Sequence, residues 1–298
     1  MPNNFPEVWE HRVRERLSTA HVADFLDGID ELDSPVMVDP VTDQNTIHVP
    51  LETFTPDVLI NNTTYPIDVQ NHADGTKTIN LDKYQTKATK ITDDAALGAS
   101  YDKIDSATKG HVKEINRTKF KKAAHALAPQ SNTTNTPVVI VPATLTAEQV
   151  YAAIVNLKGK FDEQEVPEEG RRLVLCSDHA NALLTSEKYA AALYADKQSG
   201  RISGVLAGFK VYSYVGNPYY TTAGVKVAFN AVPGGTDRKG SFAFYEENVG
   251  KKTGILKQYY DKPNTTTQAH LVNYRHYFIA LPIEAKATGA IVTGPTGG

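Results

Sequence analysis

Cys176, Ser177, Asp178 and His179 stand side by side and bring together a thiol, a hydroxyl, a carboxylate and an imidazole. These are the parts of a nucleophile, its base and a group to orient the base. Their spacing argues against that use. Neighbours on a strand point to opposite faces, and neighbours at a helix start fan apart. A nucleophile and its base have to meet at about 3 Å. The expectation is a buried cysteine, a helix cap at Ser177 or Asp178, and a surface histidine. A hydrolase using Cys176 and His179, with Asp178, stays as an alternative.

Other chemistry is thinner. The nine histidines do not cluster. His270 and His276 fall on one face of a long strand, but ~20 Å apart, too far for one metal ion. The single cysteine excludes a disulfide framework and a thiolate-rich metal site. Gly200, Gly204 and Gly208 recur every four residues, so neither a dinucleotide fingerprint nor a Walker loop is present. Asp162, Glu163, Glu165, Glu168 and Glu169 form an acidic stretch beside Gly170, read as a solvated loop. No catalytic, cofactor-binding or metal-binding residue is assigned, and no cofactor is expected.

Composition agrees. The chain has 298 residues, 41% hydrophobic and 22% charged, which is ordinary for a folded protein. Its net charge of −3 gives no global basic field for nucleic acid. Positive charge gathers in one stretch: Lys109, Lys113, Arg117, Lys119, Lys121 and Lys122 against Glu114. The plain reading is a solvated helix face. The functional reading assigns Lys113, Arg117, Lys121 and Lys122 to weak, sequence-blind contact with phosphates or an acidic partner. No run of ~18 apolar residues exists to cross a membrane as a helix. The N-terminus lacks the basic start and apolar core of a secretory signal, so the chain is expected to stay in the cytoplasm or to leave by a route that reads no signal.

The elements that must position these residues follow in five blocks. Residues 1–44 read as an arm. Val8, Trp9, Val13 and Leu17, then Phe25, Leu26 and Ile29, recur at helical spacing, but too few for a core of their own. Residues 45–93 read as an extended β-hairpin: Ile47, Val49 and Leu51, then Tyr65, Ile67 and Val69, then Ile79 and Leu81 alternate, with turn chemistry at 71–75. A lone ribbon is marginal in water, so arm and hairpin need another surface. Trp9, Val13, Leu17, Ile47, Val49, Leu51, Tyr65, Ile67, Val69, Ile79 and Leu81 are therefore the candidate inter-subunit contacts.

Residues 94–137 read as a long helix and linker. The helix is capped at Asp93 or Asp94, stopped by Pro129, and spans about 50 Å if Gly98 and Gly110 do not break it. Residues 138–233 read as a compact α/β domain. It holds a strand at 138–141, a capping box of Thr146 with Gln149, a doubly buried strand at 173–176, and strands around Val211 and at Val225, Val227 and Phe229. Residues 234–298 read as β strands, with Pro282 limiting the longest, and a tail.

This order resembles the major capsid protein of tailed bacteriophages, the Hong Kong ninety-seven phage capsid fold. Val166-Pro167-Glu168-Glu169-Gly170-Arg171-Arg172 before a buried strand is similar to that family's texture. So are the helix at 178–184, the turn from Gly200-Arg201-Ile202 to Gly208-Phe209-Lys210-Val211-Tyr212, and the closing Arg275-His276-Tyr277-Phe278 to Gly289-Ala290-Ile291. The resemblance implies an α+β fold with N-arm (1–44), extended loop (45–93), spine helix (94–137), axial domain (138–233) and peripheral strands (234–298).

It further implies a structural protein, not an enzyme. That protein would assemble as pentamers and hexamers into an icosahedral virion shell in the host cytoplasm. The shell would enclose double-stranded DNA, touched without sequence preference. Scaffolding, portal and decoration proteins are the implied partners, with the scaffold either separate or already removed. No membrane is involved. A bacterial encapsulin, a shell around a cargo enzyme, is the alternative within the same architecture. Lys77, Lys83 and Lys87 lie in or near the hairpin, where some members form covalent cross-links, but nothing identifies a partner and no bond is predicted.

Overall fold

The computed structural model describes residues 23–38, 45–52, 57–71, 74–92, 103–193, 202–261 and 268–295. Trp9, Val13, Leu17, Asp93, Asp94 and Gly98 lie outside them. Strands are β1 (Met37–Val38), β2 (Asn45–Glu52), β3 (Asp74–Asn80), β4 (Asp82–Gln85), β5 (Thr89–Thr92), β6 (Val138–Val141), β7 (Arg171–Leu175), β8 (Gly204–Leu206), β9 (Phe209–Ser213), β10 (Tyr219–Tyr220), β11 (Arg238–Lys239), β12 (Ser241–Tyr245), β13 (Val249–Asp261), β14 (Ala269–Pro282) and β15 (Thr288–Thr293). Helices are α1 (Lys103–Leu127), α2 (Ala147–Glu163), α3 (Ser177–Leu184) and α4 (Glu187–Leu193).

The strut is real. Helix α1 runs 25 residues without a break, or about 37 Å. Gly110 does not interrupt it, because the stability comes from one packed face. Val112, Ile115, Ala123, Ala124 and Leu127 lie on one side of the helix and share a core with Val272, Tyr274, Phe278 and Ala280 of β14. Its C-terminal end is held by a cation. The buried Lys226 ammonium donates to the carbonyls of His125 (2.7 Å) and Ala128 (2.6 Å), where the helix leaves acceptors unpaired. Tyr220 adds a hydrogen bond to the Pro129 carbonyl at 2.8 Å.

β14 is the middle of a sheet in which β13 pairs along one edge while β4 and β5 share the other. A second sheet has the order β6-β15-β12-β7-β9-β8. The strand predicted to be buried on both sides is β7, and all of its residues are buried. Leu173 and Leu175 face α2 and α3, while Val174 faces the core shared with α1. β12 and β15 divide in the same manner: Ala243 and Ile291 point one way, Phe242, Phe244, Ala290 and Val292 the other. The Thr146–Gln149 capping box forms with both of its hydrogen bonds.

Several expectations change. β12 and β15, placed in the sequence block after 234, pair with β7 and β6 inside the α/β sheet. Val225, Val227 and Phe229 form no strand, only a bridge between Tyr220 and Lys226. Cys176, rather than Ser177 or Asp178, occupies the cap position of α3, without a side-chain bond. Phe25, Leu26 and Ile29 are buried against their own chain. Phe25 meets the rings of Tyr214, Phe242 and Phe244 at 5.3, 5.8 and 6.5 Å. Arg172 fastens this stretch by donating to the carbonyls of Phe25 (3.0 Å) and Asp27 (2.6 Å), with Glu246 at 2.5 Å neutralising it.

Candidate assembly surface

The hairpin divides into two unlike parts. At its base, β2 and β3 pair in antiparallel register, Ile47 opposite Ile79 and Val49 opposite Lys77. Ile47, Val49, Ile79 and Leu81 pack with Tyr277 and Ile279, on the face of β14 that α1 does not cover. The approach is close: a Cβ at Gly254 would lie 2.7 Å from Tyr277 Cβ and 3.0 Å from Leu81 Cδ2. Lys77 Nζ donates to the Ile283 carbonyl at 2.5 Å. These four apolar residues were expected to meet another subunit. Their own chain covers them instead, because β14 offers an apolar row of matching period. Leu51 belongs to β2 opposite Gly75, and its side chain lies outside the described residues.

The tip, residues 57–71, is different. It forms no strand, although Tyr65, Ile67 and Val69 alternate as a strand would. Its order is local: Asp57 N–H donates to Gln70 Oε1 at 2.9 Å, and Asn62 Oδ1 accepts from Thr64 N–H at 3.0 Å. Val58 (82% exposed), Ile60 (83%), Tyr65 (74%) and Val69 (89%), with Leu59 and Ile67, stand in solvent. Exposed apolar residues gathered in one segment make the tip a candidate interaction surface. Val58, Leu59 and Ile60 were missed at the sequence level; three consecutive apolar residues in a polar stretch were the available signal.

The basic stretch does not form one patch. Lys113 and Lys121 are exposed. Arg117 lies 3.6 Å from Glu114 in an exposed pair of small energetic weight. Lys122 turns inward and pairs with Asp82 at 2.6 Å. Lys119 is buried. The acidic loop is tied down rather than free. Arg171 reaches Asp162 (2.7 Å) and the carbonyls of Pro167 (2.9 Å) and Val166, and Lys158 pairs with Asp162 and Glu168 at 2.8 and 3.0 Å.

The cluster at 176–179 is part of the core. Cys176 is buried, and burial pushes its thiol pKa up, away from thiolate formation. His179, expected at the surface, is fully buried, and burial pushes its pKa down to about 4. Its Nδ1 lies 2.7 Å from Ser241 Oγ and its Nε2 3.1 Å from Thr293 Oγ1. Ser241 Oγ also accepts from Cys176 N–H at 2.9 Å. These bonds tie α3 to β12 and β15 and leave no face for a substrate. Among the described residues no group of three or more His, Cys, Asp or Glu is placed to hold a metal ion. No described helix is long and apolar enough to cross a membrane.

The fold recurs in solved capsids. The capsid structure of the cyanophage P-SCSP1u superposes with a TM-score of 0.65 at 13% identity, covering 91% of this chain and 87% of the other. A chain from Mycobacterium phage Che8 gives 0.58 at 13% identity, covering 88% and 93%. The head of the Helicobacter pylori bacteriophage KHP40 gives 0.57 at 12% identity, covering 85% and 84%. No curated protein matches the sequence. Residues 74–292, which hold helix α1 and nearly all of both large sheets, match the family described as phage capsid protein. With most of the chain inside that match, this chain belongs to the phage capsid protein family and is a capsid shell protein.

Proposed function

We propose that copies of this chain join as hexamers and pentamers into an icosahedral shell around the double-stranded DNA of a tailed phage, each copy completing its fold on its neighbours. The observation that carries this is the tip: six large apolar side chains exposed on a segment whose base is firmly docked. Covering apolar surface contributes about 25 cal/mol per Å², and an ordering cost already met at the base is not met again at the interface. Head-to-tail contact of one tip with the next copy closes into a ring. In this reading Tyr65, Ile67 and Val69 remain contact residues, joined by Val58, Leu59 and Ile60.

The arm, with Trp9, Val13 and Leu17, adds a second contact. Lys113, Arg117 and Lys121 supply weak attraction to phosphate or to an acidic partner. The α/β sheet forms the axial part, and the β13–β14 sheet with α1 forms the peripheral part. Assembly takes place in the host cytoplasm, with scaffolding, portal and decoration proteins as partners. Replacing residues 57–71 by a short Gly-Ser turn is expected to leave a folded protomer by circular dichroism and no particles by electron microscopy. Normal particles from that variant would overturn the proposal.

A further inference from the structure

Among the described residues, one buried cation has neither an anion nor a carbonyl to donate to. Lys119 on α1 is only 4% exposed, yet no described residue gives its ammonium a hydrogen bond or an ion pair. Its nearest company is two aromatic faces, Phe120 at 4.7 Å and Phe278 at 5.2 Å. Glu31 acts on it only from a distance and is itself taken by the Thr253 hydroxyl. Burial pushes the Lys119 pKa down to about 8. Next to it His276 is buried with both ring nitrogens unpartnered, so it supplies no compensation.

Lys119 lines a cavity of about 240 Å³ between α1 and the end of β14, whose other walls include Ala123, Phe278, Ile279 and Leu281. Lys122 and Asp82 stand at the same cavity but satisfy each other at 2.6 Å. The cavity shares Tyr84 with a larger groove of about 640 Å³ running along α1, where Lys83 and Lys87 add positive charge. A carboxylate carried on an apolar segment would suit both the Lys119 ammonium and the apolar walls of this cavity.

The chain itself holds such a segment. Residues 45–76 contain no lysine or arginine. Of the two tip carboxylates, Asp57 is engaged by Gln70, at 2.5 Å from its Nε2. Asp68 is exposed and no described residue pairs with it. It stands between Ile67 and Val69, which are 52% and 89% exposed. We propose that the Asp68 carboxylate of a second copy of this chain enters the cavity and pairs with Lys119, seating Ile67 and Val69 against Phe278 and Leu281. This rests on the reading of the tip as the shell contact and names where it lands.

The test uses the full-length chain. Particles assembled from equal parts of unlabelled and nitrogen-15-labelled protein are treated with a carbodiimide, which joins a carboxylate and an amine in direct contact. The expected product is a mixed-isotope peptide linking Asp68 to Lys119. In parallel, Asp68→Asn and Lys119→Met are each expected to raise the concentration needed for assembly about tenfold, as loss of a charged hydrogen bond would. The double variant is expected to need about the same tenfold, since both changes remove one interaction. Should Lys119→Met fail to fold, Asp68→Asn and the cross-link decide. A Lys119 link to any other carboxylate, including one in residues 1–22, or single variants that assemble normally, or effects that multiply, would overturn this pairing and leave the shell reading intact. No particles from the unsubstituted chain would overturn the shell reading, and the pairing with it.

Discussion

The two ends of one hairpin meet opposite fates. Ile47, Val49, Ile79 and Leu81 at the base are buried, whereas Val58, Ile60, Tyr65 and Val69 at the tip stand in solvent. Residue type does not separate them, since β-branched and aliphatic residues fill both. What separates them is the length of the strand they can reach. β14 presents Tyr277 and Ile279 to the base, and no described element presents a row to the tip. A period of two says which side chains share a face. It does not say which molecule covers that face. In a shell protein that second question is the functional one.

The comparison breaks most directly at the base. Ile47 is fully buried. Ile47→Asp places an unpaired charge in that small core and is expected to cost more than about 4 kcal/mol, measured by chemical denaturation of the protomer. A protomer of normal stability would show that the base is no more docked than the tip.

Acid is the next largest lever, and it acts on the docked parts. His179 and His276 are buried and have pKa values lowered to about 4 and about 3. Their unfolded value is about 6.5, so between there and pH 4 the unfolded chain binds more protons than the folded one. Stability is therefore complete above pH 6.5 and falls as the pH drops through that window, by on the order of 3 kcal/mol at pH 4 for His179 alone. His179→Gln is expected to flatten the profile measured by denaturation at stepped pH. A flat wild-type profile between pH 6.5 and 4 would contradict the buried, neutral state of both rings.

Arg172 tests a docked stretch that resembled the tip in sequence. The 23–38 segment was expected to need another surface, yet Phe25 sits in the main core and Arg172 holds the carbonyls around it. Arg172→Leu leaves two carbonyls and Glu246 without their donor and is expected to cost about 2 kcal/mol, moderated because Glu246 keeps contact with water. Loss of protection at 25–29 in hydrogen exchange should accompany it. Unchanged protection there would mean that the ring contacts alone hold the segment.

What could be read from the sequence was mostly local. The Thr146–Gln149 cap, the doubly buried strand read at 173–176 and found at Arg171–Leu175, and the long helix before Pro129 each depend on residues a few positions apart. The misses depend on distant partners. β12 and β15 join β7 and β6 across gaps of roughly 70 and 150 residues, a pairing no local period encodes. Val225 and Val227 looked like a strand, but the segment's bonds are split between Tyr219 and Thr221 on one side and the end of α1 on the other, through Lys226, Gln130 and His125. His179 read as a surface residue because nothing near it in sequence shows that Ser241 and Thr293 flank its ring. The tip was legible as apolar and not as irregular, and the unpaired Lys119 was hidden inside a basic run.

The smallest expected change in the protomer is at the tip, and it is the sharpest form of the comparison. Val69 is 89% exposed and touches nothing whose loss would be felt within the chain. Val69→Asp should therefore leave protomer stability within about 0.5 kcal/mol, the range of an ordinary surface substitution. The same change puts a second carboxylate beside Asp68 in a segment that already carries no cation, and it removes a branched side chain from the exposed apolar set. If a neighbouring copy covers Val69, the added charge has to be desolvated there, and assembly followed by light scattering should fail while denaturation curves overlay those of the unchanged protein. Ile47→Asp and Val69→Asp would then separate folding from assembly within one hairpin. Particles that form equally well with Val69→Asp would place the contact elsewhere on the tip or off it altogether.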